Sequence, residues 1–122
     1  LDGIHGSPAE FKDITLSDYV GDRYTSLTED PYQKGFVSNY ARSHYSEDVA
    51  ETGGRLISLT EAEREAMIAK AGPVGGPLIR KKYDMLKKWL KDSYGVDTDR
   101  WCEIYHRRIA QLDNLDWESL DK

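Results

Sequence analysis

Apolar residues recur at helical spacing mainly in the second half of the chain. Ile79, Tyr83, Leu86, Leu90 and Tyr94 follow one another at intervals of three and four, with Arg80, Lys81, Lys82, Lys87 and Lys88 between them. That period predicts a long amphipathic helix over 77–94, and Gly95 follows where a left-handed C-terminal cap is expected. Upstream, Thr60-Glu61-Ala62-Glu63 reads as a capping box and Leu59 as the start of a hydrophobic staple. They predict a helix over 61–71 that ends at Gly72-Pro73. Downstream, Asp97 or Thr98 caps a helix over 99–112, with Trp101, Ile104, Tyr105, Ile109 and Leu112 on its apolar side. These aromatic and aliphatic positions are expected to be core.

A further helix is expected to start at Ser46 as N-cap, with Glu47 and Asp48 in its first turn and Val49, Ala50, Leu56 and Ile57 as apolar positions. Gly53-Gly54 interrupts it. Each glycine costs about 1 kcal/mol in a helix interior relative to alanine, so a bend or a close neighbour is expected there. Residues 1–39 are rich in Gly, Ser, Asp and Tyr, contain Pro8 and Pro31, and hold no sustained period. They read as loops with short helical turns, the best-marked turn lying over 9–14. The expected fold is therefore mainly α, about four helices behind a long irregular N-terminal segment. The expected organisation is one domain or subdomain, with loops and short turns over 1–45, helices over 46–112 and an acidic tail over 113–122 carrying Leu115, Trp117 and Leu120.

Composition narrows the function. A chain of 122 residues, 39% hydrophobic, can bury one core. With 22 acidic against 17 basic residues and a net charge of -5, it lacks the electrostatic footprint of a nucleic-acid binder. The lysines of the 77–94 helix read as its solvated face. Cys102 is the single cysteine, which excludes an internal disulfide and suits a small buried hydrophobe. No apolar run approaches the length of a transmembrane segment. The chain begins with Leu1 rather than Met, as expected of a piece of a longer precursor whose export signal or lipid anchor would lie outside it.

The candidate chemistry lies in Tyr40-Ala41-Arg42-Ser43-His44-Tyr45-Ser46-Glu47-Asp48-Val49-Ala50-Glu51. Glu47 and Glu51 stand one helical turn apart on one face, where like charges repel by a few tenths of a kcal/mol. Two readings stand side by side. Acidic residues in a first turn complement the helix dipole; alternatively, Glu47 is a zinc ligand, Glu51 holds a ligand histidine, and Tyr40 hydrogen-bonds a developing oxyanion. A competing constellation of His44, Glu47 and Glu51 would share a face only if the helix began before Ser46. His106 and His5 belong to no ligand motif, and the H-E-x-x-H motif is missing.

Gly35-Phe36-Val37-Ser38-Asn39-Tyr40-Ala41-Arg42-Ser43, followed by Glu47-Asp48-Val49-Ala50-Glu51, resembles the C-terminal half of zinc-binding metallopeptidases of the gluzincin kind found as lipoproteins in Bacteroidetes. The similarity continues through Phe11-Lys12-Asp13-Ile14, Tyr19-Val20-Gly21-Asp22 and Tyr94-Gly95-Val96-Asp97. It implies Glu47 as third zinc ligand, Tyr40 as transition-state tyrosine and Glu51 as the carboxylate behind a ligand histidine. It also implies Zn in the intact protein, with none bound by this chain alone, a peptide or protein substrate, and a periplasmic or outer-membrane location. Val49, where the family prefers an aromatic, and Gly53-Gly54 depart from the pattern. The alternative is a non-catalytic binding module derived from that fold, docking to a surface partner such as a glycan-uptake assembly.

Overall fold

A computed structural model describes residues 10–113. They are mainly helical, with no strand among them. The front is built from helix α1 (Phe11–Ile14) and 3₁₀ turns at Leu16–Asp18, Gly21–Ser26, Pro31–Lys34 and Tyr40–Arg42. Three longer helices follow: α2 (Tyr45–Ser58), α3 (Glu61–Tyr94) and α4 (Thr98–Asp113). His5, Leu115, Trp117 and Leu120 lie outside the described residues.

The local signals account for most boundaries. At the start of α3 the capping box forms in full: the Glu63 amide donates to Thr60 Oγ1 at 3.1 Å and the Thr60 amide donates to Glu63 Oε1 at 2.9 Å. Gly72 breaks the helical conformation inside α3 with φ 86° and ψ -173°, a backbone state open to glycine at little steric cost. The expected pair of helices is thus present, but the second arm resumes at Pro73 instead of Pro77. The arms fold back on each other. Arg80 forks onto Glu65 at 2.9 and 2.5 Å, and the Tyr83 hydroxyl donates to Met67 Sδ at 3.4 Å. Gly95, at φ 68°, closes α3 with amides of Gly95 and Val96 donating to the Lys91 and Leu90 carbonyls.

The core gathers Phe11, Val37, Leu56, Ala71, Ile79, Tyr83 and Leu86. Helix α2 and both arms of α3 therefore close over residues from the irregular front, and Phe11 and Phe36 are fully enclosed. Two expectations change. Residues Trp101, Tyr105, Ile109 and Leu112 of α4 are 39–54% exposed rather than core, because only Thr98 and Cys102 of its described residues are buried against the rest. Lys82, expected on the solvated face, is 1% exposed. It falls three residues after Ile79 and four before Leu86, inside the buried stripe.

Candidate functional site

The α2 helix begins two residues earlier than the sequence suggests. His44, not Ser46, is its N-cap: extended at φ -164°, ψ 152°, it accepts the Ser46 amide on Nδ1 at 3.1 Å. Its Nδ1 is thereby engaged at the cap and its ring tilts onto Tyr45; no three His, Cys, Asp or Glu side chains gather as a ligand set among the described residues, so His44, Glu47 and Glu51 do not form one. His106 stands apart on α4, its Nε2 enclosed without a hydrogen-bond partner.

Glu47 lies in the first turn of α2, and Tyr40 opens the 3₁₀ turn just before it. The two side chains meet. Interaction with the Glu47 carboxylate, through hydrogen bonding first and its charge second, raises the exposed Tyr40 phenol above its ordinary pKa. Tyr24 packs edge-on against the Tyr40 ring, with centroids 5.3 Å apart. One turn further along α2, Glu51 accepts from Ser38 Oγ at 2.9 Å and pairs with Arg55 at 3.7 Å. The same Ser38 oxygen accepts the Ala41 amide at 3.1 Å. One serine thus ties the turn carrying Tyr40 to the helix carrying Glu47 and Glu51.

Arg42 fixes the other side of that turn. Its buried guanidinium donates to Glu29 Oε1 at 2.6 Å and to the Asp18 carbonyl at 3.2 Å, while its own carbonyl accepts from the Val20 amide at 2.7 Å. The recesses of about 430 and 370 Å³ lie elsewhere, beside Gly72 and between Thr60 and His106. The Tyr40–Glu47 surface is one wall without an opposing wall in the described residues.

Beneath this wall is a group that the sequence reading missed. Asp48 is fully buried and accepts from Lys82 Nζ at 2.6 Å, the Tyr19 hydroxyl at 2.7 Å and Thr52 Oγ1 at 3.1 Å. Burial pushes the Asp48 carboxyl up and the Lys82 ammonium down, against the stabilisation that each gives the other. The Tyr19 phenol is pushed well above its ordinary value, first by burial and then by the Asp48 charge. A signal existed: Asp48, Thr52 and Leu56 repeat at four-residue spacing on one stripe of α2, so a carboxylate there faces inward and needs a partner.

A catalytic zinc with two histidines and a carboxylate takes three protein ligands and keeps a position for water. Glu47 offers one. Among the described residues no group of three His, Cys, Asp or Glu side chains could hold a metal ion, so these residues do not by themselves fit zinc. No described helix is long and apolar enough to cross a membrane.

A model of the family described as "Putative zinc-binding metallo-peptidase" matches residues 5–99. Among solved structures, the crystal structure of a putative zinc-binding metallo-peptidase from Bacteroides caccae is similar to this chain with a TM-score of 0.80 and 32% sequence identity. The similarity covers 91% of this chain and 43% of that one, so the chain spans less than half the length of that relative. No curated protein matches it.

Proposed function

The chain belongs to the putative zinc-binding metallo-peptidase family, and from that premise we propose that it forms the C-terminal wall of a zinc-dependent peptidase site. Glu47 is the third protein ligand, Tyr40 the donor to the oxyanion formed as a peptide bond is attacked, and Glu51 the carboxylate behind a ligand histidine. The supporting observation is the meeting of the Tyr40 hydroxyl with the Glu47 carboxylate on one exposed surface. A protonated phenol is a hydrogen-bond donor, and a preorganised donor aimed at developing negative charge lowers the barrier of acyl transfer. Glu47 stands in the first turn of α2, at the positive end of the helix dipole, and a carboxylate is an ordinary zinc ligand.

The remaining ligands and the general base belong to an H-E-x-x-H segment outside this chain, so the chain alone is inactive towards peptides. The deciding experiment measures zinc in protein made from the coding sequence read through from upstream of Leu1, where that sequence encodes H-E-x-x-H. One zinc per chain is expected, lost in Glu47→Ala. Zinc content unchanged in that variant would remove Glu47 from the ligand set, and an upstream sequence without the motif would leave the non-catalytic binding module as the reading.

A further inference from the structure

We propose that Lys82 is the positioning residue of the Tyr40–Glu47 wall, a buried cation that fixes the turn carrying Tyr40 and the helix carrying Glu47 against each other from beneath. Two limbs form the wall. One is the segment from Phe36 to Ser43, which carries Tyr40; the other is the first two turns of α2, with Glu47, Asp48 and Glu51. Lys82 belongs to neither, sitting in the second arm of α3, 34 residues beyond Asp48.

Its ammonium touches both limbs at once. Towards α2 it donates to Asp48 Oδ2 at 2.6 Å, and Asp48 is the residue next to Glu47. Towards the front it stands 3.8 Å from the centroid of the Phe36 ring, two residues before Ser38 and four before Tyr40. Phe11 and Tyr19 complete the enclosure at 5.7 and 6.0 Å, and Tyr19 donates to the same Asp48 oxygen at 2.7 Å. A desolvated cation over an aromatic face is held more strongly than an exposed one, and a buried ion pair tolerates little displacement because separation leaves two uncompensated charges. Successive helical residues point about 100° apart, so tying Asp48 inward sets the rotation of α2 and with it the outward direction of Glu47. The cation–ring contact sets the height of Phe36 and hence of the turn. The pair is thus a geometric device more than a source of stability, since an apolar pair of similar volume is often as stable.

The test replaces the pair without leaving a lone charge: Lys82→Met with Asp48→Asn, followed by amide hydrogen exchange along the whole chain. The expected result is exchange at least about tenfold faster at Ala41, Arg42 and Ser43 and in the first turns of α2, with the melting temperature and the exchange of the two α3 arms retained. Faster exchange everywhere in proportion to a lowered melting temperature would mean that the pair is merely structural, and unchanged exchange in the two limbs would overturn the proposal outright. Should the double variant fail to fold, Phe36→Leu removes the ring and leaves the ion pair, and the same acceleration at Ala41 to Ser43 is expected, with none overturning it. This readout stands apart from the peptidase reading; only the consequence for zinc rests on it. In the zinc-binding protein, the double variant weakens zinc about tenfold or more while Glu47→Ala abolishes it. Loss in Glu47→Ala with full affinity in the double variant would sink the positioning role and spare the ligand assignment.

Discussion

Three glycines of this chain should respond to alanine with opposite signs. Gly53 and Gly54 lie inside α2 with helical backbone, and a Cβ added at either meets no atom within 4 Å. A glycine there retains its full entropic cost and gains nothing from close approach, so Gly53→Ala and Gly54→Ala should each stabilise by about 1 kcal/mol. Their side chains would not share a partner, so the double variant should gain about 2 kcal/mol, additive to within about 0.5 kcal/mol. Gly75 is the contrast. A Cβ on it would sit 1.9 Å from the Tyr32 carbonyl oxygen and 2.8 Å from the Tyr32 carbonyl carbon, where an ordinary carbon–oxygen contact is about 3.3 Å or more. Relief requires moving the Pro31–Lys34 turn by more than about 1 Å away from α3, and Phe36 and Gly35 follow directly behind it. Gly75→Ala should therefore cost about 3 kcal/mol, the upper range for overpacking. Urea unfolding monitored by helical circular dichroism measures all three, with the slope against denaturant checked for constancy. Near the transition, each 1 kcal/mol corresponds to a shift of about 4 °C for a chain of this size. Destabilisation by Gly53→Ala or Gly54→Ala would refute the open space around α2 at that point. A neutral Gly75→Ala would refute the packing of the Pro31–Lys34 turn on α3, on which the placement of Phe36 depends.

Two further outcomes follow from the same geometry. Burial pushes the Tyr83 phenol up to about 12 from an ordinary 10.0; because the folded-state value is the higher one, its contribution to stability is intact below pH 10 and is lost as pH rises through 12. In that window it should steepen the fall in stability by about 1.4 kcal/mol per pH unit, and Tyr83→Phe should flatten the alkaline melts by that amount; equal slopes in the two proteins would refute it. In the zinc-containing peptidase, Tyr40→Phe should retain zinc and lose about 10²- to 10³-fold in turnover, read from kcat on a peptide substrate; full turnover would remove Tyr40 from the oxyanion role.

What the sequence made legible was local. The 61–71 and 77–94 segments declare themselves because residues three and four apart are neighbours on a helix, and Gly72 is visible as the break because few other residues accept its conformation. Tyr40 and Glu47 are close in sequence, so their meeting needed only one turn of chain. Ser38 holding Glu51, and Lys82 holding Asp48, join segments whose relative placement is decided by packing across the core. No single-chain period encodes that distance. Lys82 stands between the apolar positions Ile79 and Leu86, and Asp48 shares its stripe with Thr52 and Leu56; neither placement names the partner. The cap went to His44 in place of Ser46 because an imidazole nitrogen accepts an amide as a hydroxyl does. For α4, the pattern of Trp101, Tyr105, Ile109 and Leu112 predicts an apolar face correctly but carries no information about what lies over it.

Neighbouring carboxylates with different environments explain why the wall presents one ligand candidate rather than two. Glu47 and Asp48 occupy the same turn of α2, feel the same helix dipole and carry the same functional group. Asp48 is fully buried, with Lys82, Tyr19 and Thr52 donating to its two oxygens, so it can turn to a metal only by abandoning the buried lysine. Glu47 is partly exposed, and its neighbour is a phenol at the surface, a contact that costs little to exchange. The availability of Glu47 thus follows from the confinement of Asp48: a helix rotated far enough to free Asp48 would carry Glu47 away from Tyr40. For that reason Asp48 cannot take over in a Glu47→Ala variant, although it carries the same donor atoms one residue away.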